Sequence, residues 1–112
     1  MTFSLSPAML AHSVFFRLKN PSPAAIERLI AGCRDHLSGH PGEVVFAVGG
    51  CAPYDRHVND RDWQVALHIV FESRASHDTY QQAERHEIFI AAHADNWEQV
   101  RIFDADLSVC NR

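Results

Sequence analysis

Eight of the 112 residues are histidine, and imidazole is the side chain whose ordinary titration lies nearest neutral pH. Metal ligation and proton transfer are therefore the two chemistries to weigh first. The spacings offer little to a metal. His36 and His40 are four apart, but Gly39 and Pro41 end the helix that would align them. His86 and His93 are seven apart, which shares a helix face and supplies only two ligands. His12 and His68 fall on opposite strand faces. No HxxxH with a third ligand occurs, so no metal site and no cofactor are expected. Asp104 and Asp106 share a strand face with nothing to give them an acid–base task. Glu84, Arg85 and Glu87 read as a solvated helix face, and Trp63 and Trp97 as core or interface anchors. Cys33, Cys51 and Cys110 are an odd set without metal spacing, which suits a reducing cytoplasm better than a disulfide framework.

The elements that must position these groups are legible from periodicity. Residues 9–19, MLAHSVFFRLK, alternate as a strand, with Leu10, Val14, Phe16 and Leu18 on one face and His12 in the same register. Ser22-Pro23 is a helix cap followed by a first-turn proline. Ile26, Leu29, Ile30, Cys33 and Leu37 then form one apolar stripe. Gly39-His40-Pro41-Gly42 is a turn. Residues 43–49 make a second strand, with Val44, Phe46 and Val48 on one face and Val45 and Ala47 on the other. Residues 49–61 lack apolar periodicity and form a long loop. Trp63, Val65, Leu67, Ile69 and Phe71 alternate in a third strand over 63–72. Ser73 caps a helical stretch over 74–96, and 97–107 is the last strand. The order β-α-β-β-α-β is the split βαβ of a ferredoxin-like α+β fold.

Composition narrows the function classes. A net charge of −4 leaves no basic footprint for nucleic acid or for an anionic membrane. No apolar run reaches the ~18 residues of a membrane span, and residues 1–8 lack the features of a signal peptide. A cytoplasmic protein is expected. It comprises an N-terminal extension over 1–8 and one domain over 9–108, and 46% hydrophobic residues suffice for one small core. The strand face carrying Val14, Phe16, Val44, Phe46, Val65, Leu67 and Ile69 takes the helices. The other, with Ser13, Phe15, Val45, Ala47, Ala66, His68 and Val70, is too apolar to stand open, so a homodimer through this sheet face is expected.

Four segments, LAHSVFFRLK, LSGHPG, VALHIVFESRASHDTY and VRIFD, in this order and spacing, resemble the stress-responsive α/β-barrel (Dabb) family over some 95 residues. The resemblance implies ferredoxin-like protomers paired sheet to sheet into a dimeric α/β barrel. Most members have no defined activity. One closes a linear polyketide by aldol condensation, using a tyrosine and a histidine on the segment matching 80–86 here. It carries Tyr80 and His86 over as a candidate catalytic pair, with His12 matching a further histidine. The imidazole would be the base, and the phenol would donate a hydrogen bond to a developing enolate oxygen.

Six positions along a straight α-helix turn two side chains about 120° apart. The cyclising relative has His-Pro between its pair, whereas this chain has Ala83-Glu84. Tyr80 and His86 therefore share a pocket only if the helix departs from α geometry between Gln81 and Arg85. Two classes of function follow. One is a small-molecule site for an apolar or aromatic ligand, lined by His12, Tyr80, His86, Phe16 and Leu67. The other is an assembly protein with a filled interior, in which Tyr80, His86 and His12 are structural. An enclosed cavity with convergent polar groups separates them.

Overall fold

The computed structural model describes residues 8–108. The extension expected over 1–8 lies outside them except for its last residue, as does Cys110. The described chain runs β1 (Met9–Leu18), α1 (Pro23–Leu37), β2 (Glu43–Gly50), β3 (Val65–Phe71), α2 (Arg74–Gln82), α3 (Glu84–His93), a 3-10 turn (Ala94–Asn96) and β4 (Trp97–Leu107). The strands form one antiparallel sheet in the order β2-β3-β1-β4, the ferredoxin-like α+β arrangement expected. No described helix is long and apolar enough to cross a membrane.

Local chemistry accounts for the helix starts. Ser22 Oγ accepts from the Ala25 N–H and Pro23 occupies the first turn of α1, satisfying one of the N–H groups a helix start leaves open. Ser73 does the same for α2 through Ser76 N–H. α1 ends at Leu37, and Gly39 and Gly42 take positive φ in the following turn. Gly42 could not carry a side chain in any case, because a Cβ there would sit 2.3 Å from Ser76 Oγ.

The core lies between the helices and one sheet face. Leu10, Val14, Phe16 and Leu18 from β1 and Val65, Leu67, Ile69 and Phe71 from β3 meet Leu29, Cys33, Leu37, Tyr80 and Phe89. Burying each large aliphatic or aromatic side chain stabilises by about 1.5–3 kcal/mol relative to leaving it exposed.

Two assignments to this face are corrected. Val44 was expected to face the helices, but a bulge between Glu43 and Val45 leaves it 54% exposed. The extra residue is absorbed at the strand's start, so Phe46 and Val48 still pack on the core. Trp63 was expected in register with Val65. β3 begins only at Val65, and Trp63 turns to the opposite face, edge-on to Phe15 at 4.9 Å between ring centroids. Its indole N–H donates to Asp60 O at 2.8 Å, and Asp60 and Asp62 pair with Arg101 and Arg17, pinning the end of the loop to the sheet.

Candidate functional site

The continuous helix expected over 74–96 is in fact two. α2 stops at Gln82, Ala83 takes extended backbone (φ −68°, ψ 144°), and α3 starts at Glu84. Neither proline nor glycine is present. The junction is held instead from outside the segment. The Arg85 guanidinium, expected on a solvated face, donates to Ser38 O at 2.9 Å and Asp35 O at 2.7 Å. These are carbonyls at the C-terminal end of α1, where a helix leaves acceptors unpaired and its dipole favours a cation. The fork docks the first turn of α3 on α1 and sets its axis apart from that of α2.

The break brings Tyr80 and His86 together. Their rings are edge to face with centroids 4.9 Å apart, and His12 reaches Tyr80 at 5.8 Å. All three line one half-open cavity of about 170 Å³ between sheet and helices. Phe16 and Leu67 also line it, so the five residues singled out from the sequence are contiguous. Phe89 and Trp97 complete an aromatic wall with Phe16, at 6.3 and 5.0 Å from its ring. The buried Trp97 indole N–H has no hydrogen-bond partner among the described residues, so the wall carries an unused donor.

Burial sets the electrostatics. Tyr80 is 2% exposed, and desolvation pushes its phenol pKa well up, with smaller contributions from Cys33 and Glu43. The phenol is therefore a hydrogen-bond donor at neutral pH and not a phenolate. His86 is held below its ordinary 6.5, first by burial and then by His12 and His40. It is neutral at pH 7 and keeps a lone pair for a proton. His12 is also held below 6.5 by burial, which outweighs the opposing pull of Asp104.

Three participants escaped the sequence reading. Asp104, judged to have no acid–base partner, accepts from His12 Nδ1–H at 2.6 Å, because β4 pairs His12 directly with Asp104. A carboxylate on Nδ1 fixes the tautomer and leaves Nε2 as the basic nitrogen. His77 stands 5.0 Å from the His12 ring and His40 5.1 Å from Tyr80. Four imidazoles thus surround one phenol. The alternation that placed His12 also placed Asp104 on a helix-facing register, and that was the one signal available. His36 and His40 do not converge as ligands, since His40 Nε2 bonds the His36 carbonyl at 2.8 Å. His93 is buried against Gly32, away from His86's cavity face.

No curated protein matches the chain. Solved structures show the same fold at low identity. A Dabb family protein with a ferredoxin-like fold from Mesorhizobium loti is 21% identical, with TM-score 0.72 over 88% of this chain and 95% of that one. A hydroxynitrile lyase from Passiflora edulis is 19% identical, with TM-score 0.74 over 95% and 99%. A dimeric ferredoxin-like protein of unknown function from Thermobifida fusca is 16% identical, with TM-score 0.74 over 95% and 97%. The family model described as the stress responsive A/B barrel domain matches residues 10–107. With four antiparallel strands, helices on one face and a match that spans almost every described residue, the chain belongs to the Dabb family.

Proposed function

We propose that the cavity binds a single-ring or short-chain organic ligand, and that Tyr80 and His86 exchange or hold protons on it. The observation that carries this reading is the helix break at Ala83, which sets a protonated phenol and a neutral imidazole 4.9 Å apart over one apolar cavity. His86 acts as the base. Tyr80 donates to the oxygen on which negative charge develops, in a site where low polarity strengthens that bond. His12, oriented by Asp104, is a second acceptor at the same cavity.

Size selects among substrates. About 170 Å³ is close to the ~150 Å³ that holds benzene in an engineered protein cavity, and below the ~300–1,000 Å³ of drug-sized sites. The cavity matches a single-ring aromatic aldehyde, acid or ketone better than a long linear polyketide. That a hydroxynitrile lyase shares the fold supports small-molecule chemistry on this scaffold.

The working unit in this proposal is a homodimer through the open sheet face. Phe15, Trp63 and Phe103 form an edge-to-face cluster there, Phe103 is 50% and Val45 44% exposed, and Ser13 bonds His68 beside them. Such a face, in a fold whose neighbours include dimers, is suited to a second copy.

The test is calorimetric titration and thermal shift with benzaldehyde, benzoate and acetophenone, alongside a long-chain β-polyketone mimic. A single-ring compound should bind, and the long chain should not. Tyr80→Phe should keep the fold and weaken binding, and His86→Ala should abolish solvent exchange of an acidic ligand C–H proton. Binding unchanged in Tyr80→Phe, with no exchange in the wild type, would sink the proposal.

A further inference from the structure

Beside the Tyr80–His86 pair, the His12–Asp104 couple gains a third neighbour that the acid–base reading does not use. His12 on β1, His77 in α2 and Asp104 on β4 each offer one ligand atom, and these three atoms all lie within 4.8 Å of one another. We propose that they form a binding site for a divalent transition-metal ion of the Zn2+ type.

The donor set decides the class of ion. Two imidazoles and one carboxylate suit the borderline first-row cations, whereas Mg2+ and Ca2+ prefer oxygen alone. Both imidazoles bind as neutral ligands. The three groups then carry one net negative charge toward a dication. Three protein ligands leave a fourth tetrahedral position open, the arrangement of reactive and not of purely structural zinc sites.

The geometry needs a modest adjustment in both directions. Bonds of about 2.0–2.2 Å place tetrahedral donors about 3–3.5 Å apart. The ion takes the place of the His12 Nδ1–Asp104 Oδ1 hydrogen bond, whose 2.6 Å separation opens slightly, and a separation at the 4.8 Å limit closes by roughly 1.5 Å. The Asp104 side chain, 40% exposed on an edge strand, has room to adjust, while His12, 3% exposed in the core, is the fixed member. His77 Nδ1 lies 3.3 Å from Asp78 Oδ1, an outer carboxylate of the kind that orients ligating imidazoles. Gln81 approaches His77 Nε2 at 3.4 Å, a weak contact that an ion would readily replace.

The inference is tested apart from the Tyr80–His86 proton chemistry, because its readout is metal binding and its two diagnostic residues, His77 and Asp104, lie outside that pair. The experiment is titration of tag-free, full-length protein with Co2+, followed by its visible absorption, and then displacement by Zn2+. One ion per chain is expected, with the band intensity of a four- or five-coordinate centre. His77→Ala should weaken Zn2+ by more than about tenfold, since even outer-shell changes cost about 10–100-fold. Asp104→Asn should do likewise. It is nearly isosteric, and circular dichroism of both variants reports the fold. His57→Ala, in the exposed loop, should leave affinity unchanged. Absence of binding, undiminished affinity in either site variant, or loss in His57→Ala would each overturn the assignment.

Discussion

Gly32 is where the packing of the helices and the shape of the cavity can be tested together. It lies in α1 against His93 at the end of α3, and a Cβ there would sit 2.2 Å from His93 Nε2 and 2.7 Å from Cε1. Ordinary contact begins near 3.4 Å, so Gly32→Ala asks the His93 ring or the whole of α3 to retreat by about 1.2 Å. The ring has little room, the residue being 7% exposed and the ring tilted against the buried Phe89 at 5.1 Å between centroids. Overpacking of this kind costs about 1–3 kcal/mol. Alanine meanwhile gains about 1 kcal/mol over glycine in a helix interior. The net expectation is destabilisation by about 1 kcal/mol, or a fall of about 4–8 °C in Tm for a domain near this size. Removing the ring should reverse the sign. In a His93→Ala background, Gly32→Ala should stabilise by about 1 kcal/mol, giving a coupling of about 2 kcal/mol between the sites. Urea denaturation of the four proteins measures it. Because α3 carries His86, the single variant should also weaken ligand binding at the cavity. Stabilisation by Gly32→Ala alone, with additive behaviour in the double variant, would refute the close approach of α1 and α3.

Acid should loosen the fold in a defined window. His12, His86 and His93 are held below 6.5 in the folded state, chiefly by burial, so the unfolded chain takes up their protons first. Their contribution is complete above pH 6.5 and is lost as pH falls from 6.5 through the lower folded values. The urea midpoint should therefore be lower near pH 5.5 than near pH 7.5, and an equal or higher midpoint would contradict it. Cys33 is buried and its thiol is pushed up to about 12, so iodoacetamide at pH 8 should leave it unmodified in the native protein while it alkylates Cys51; peptide mass mapping reads this directly. Phe103→Asp should convert the proposed dimer to monomer in sedimentation without unfolding it, because the ring is half exposed in the protomer. Arg85→Ala should lower stability and degrade ligand binding together, since the guanidinium holds the junction at Ala83 by two bonds to α1 carbonyls. Loss of stability with binding intact would separate the junction from the site.

What the chain's own pattern determined was local. Alternation in MLAHSVFFRL and VALHIVF sets two strands and the face of His12, because side chains alternate at period two regardless of what lies beside them. Ser22-Pro23 and Ser73 mark helix starts, because capping needs only an oxygen and an N–H a few residues away. These signals suffice for the ferredoxin-like order. Tyr80, His86 and His12 were legible through the family resemblance, and Phe16 and Leu67 through strand alternation, but not as a shared surface.

The surface itself was decided by tertiary structure. Ala83-Glu84 contains no helix breaker, and the break coincides with Arg85 reaching carbonyls some fifty positions earlier, which no short window registers. The bulge that exposes Val44 and the late start of β3 that turns Trp63 outward are matters of register, settled by the neighbouring strand and the tethered loop. Asp104 became the partner of His12, and His77 their neighbour, only when β1, β4 and α2 were packed side by side. Ligand spacing read along one chain finds sets on a single helix or loop. Three groups from three elements converge only after sheet pairing and helix docking have brought together positions as far apart as 12 and 104.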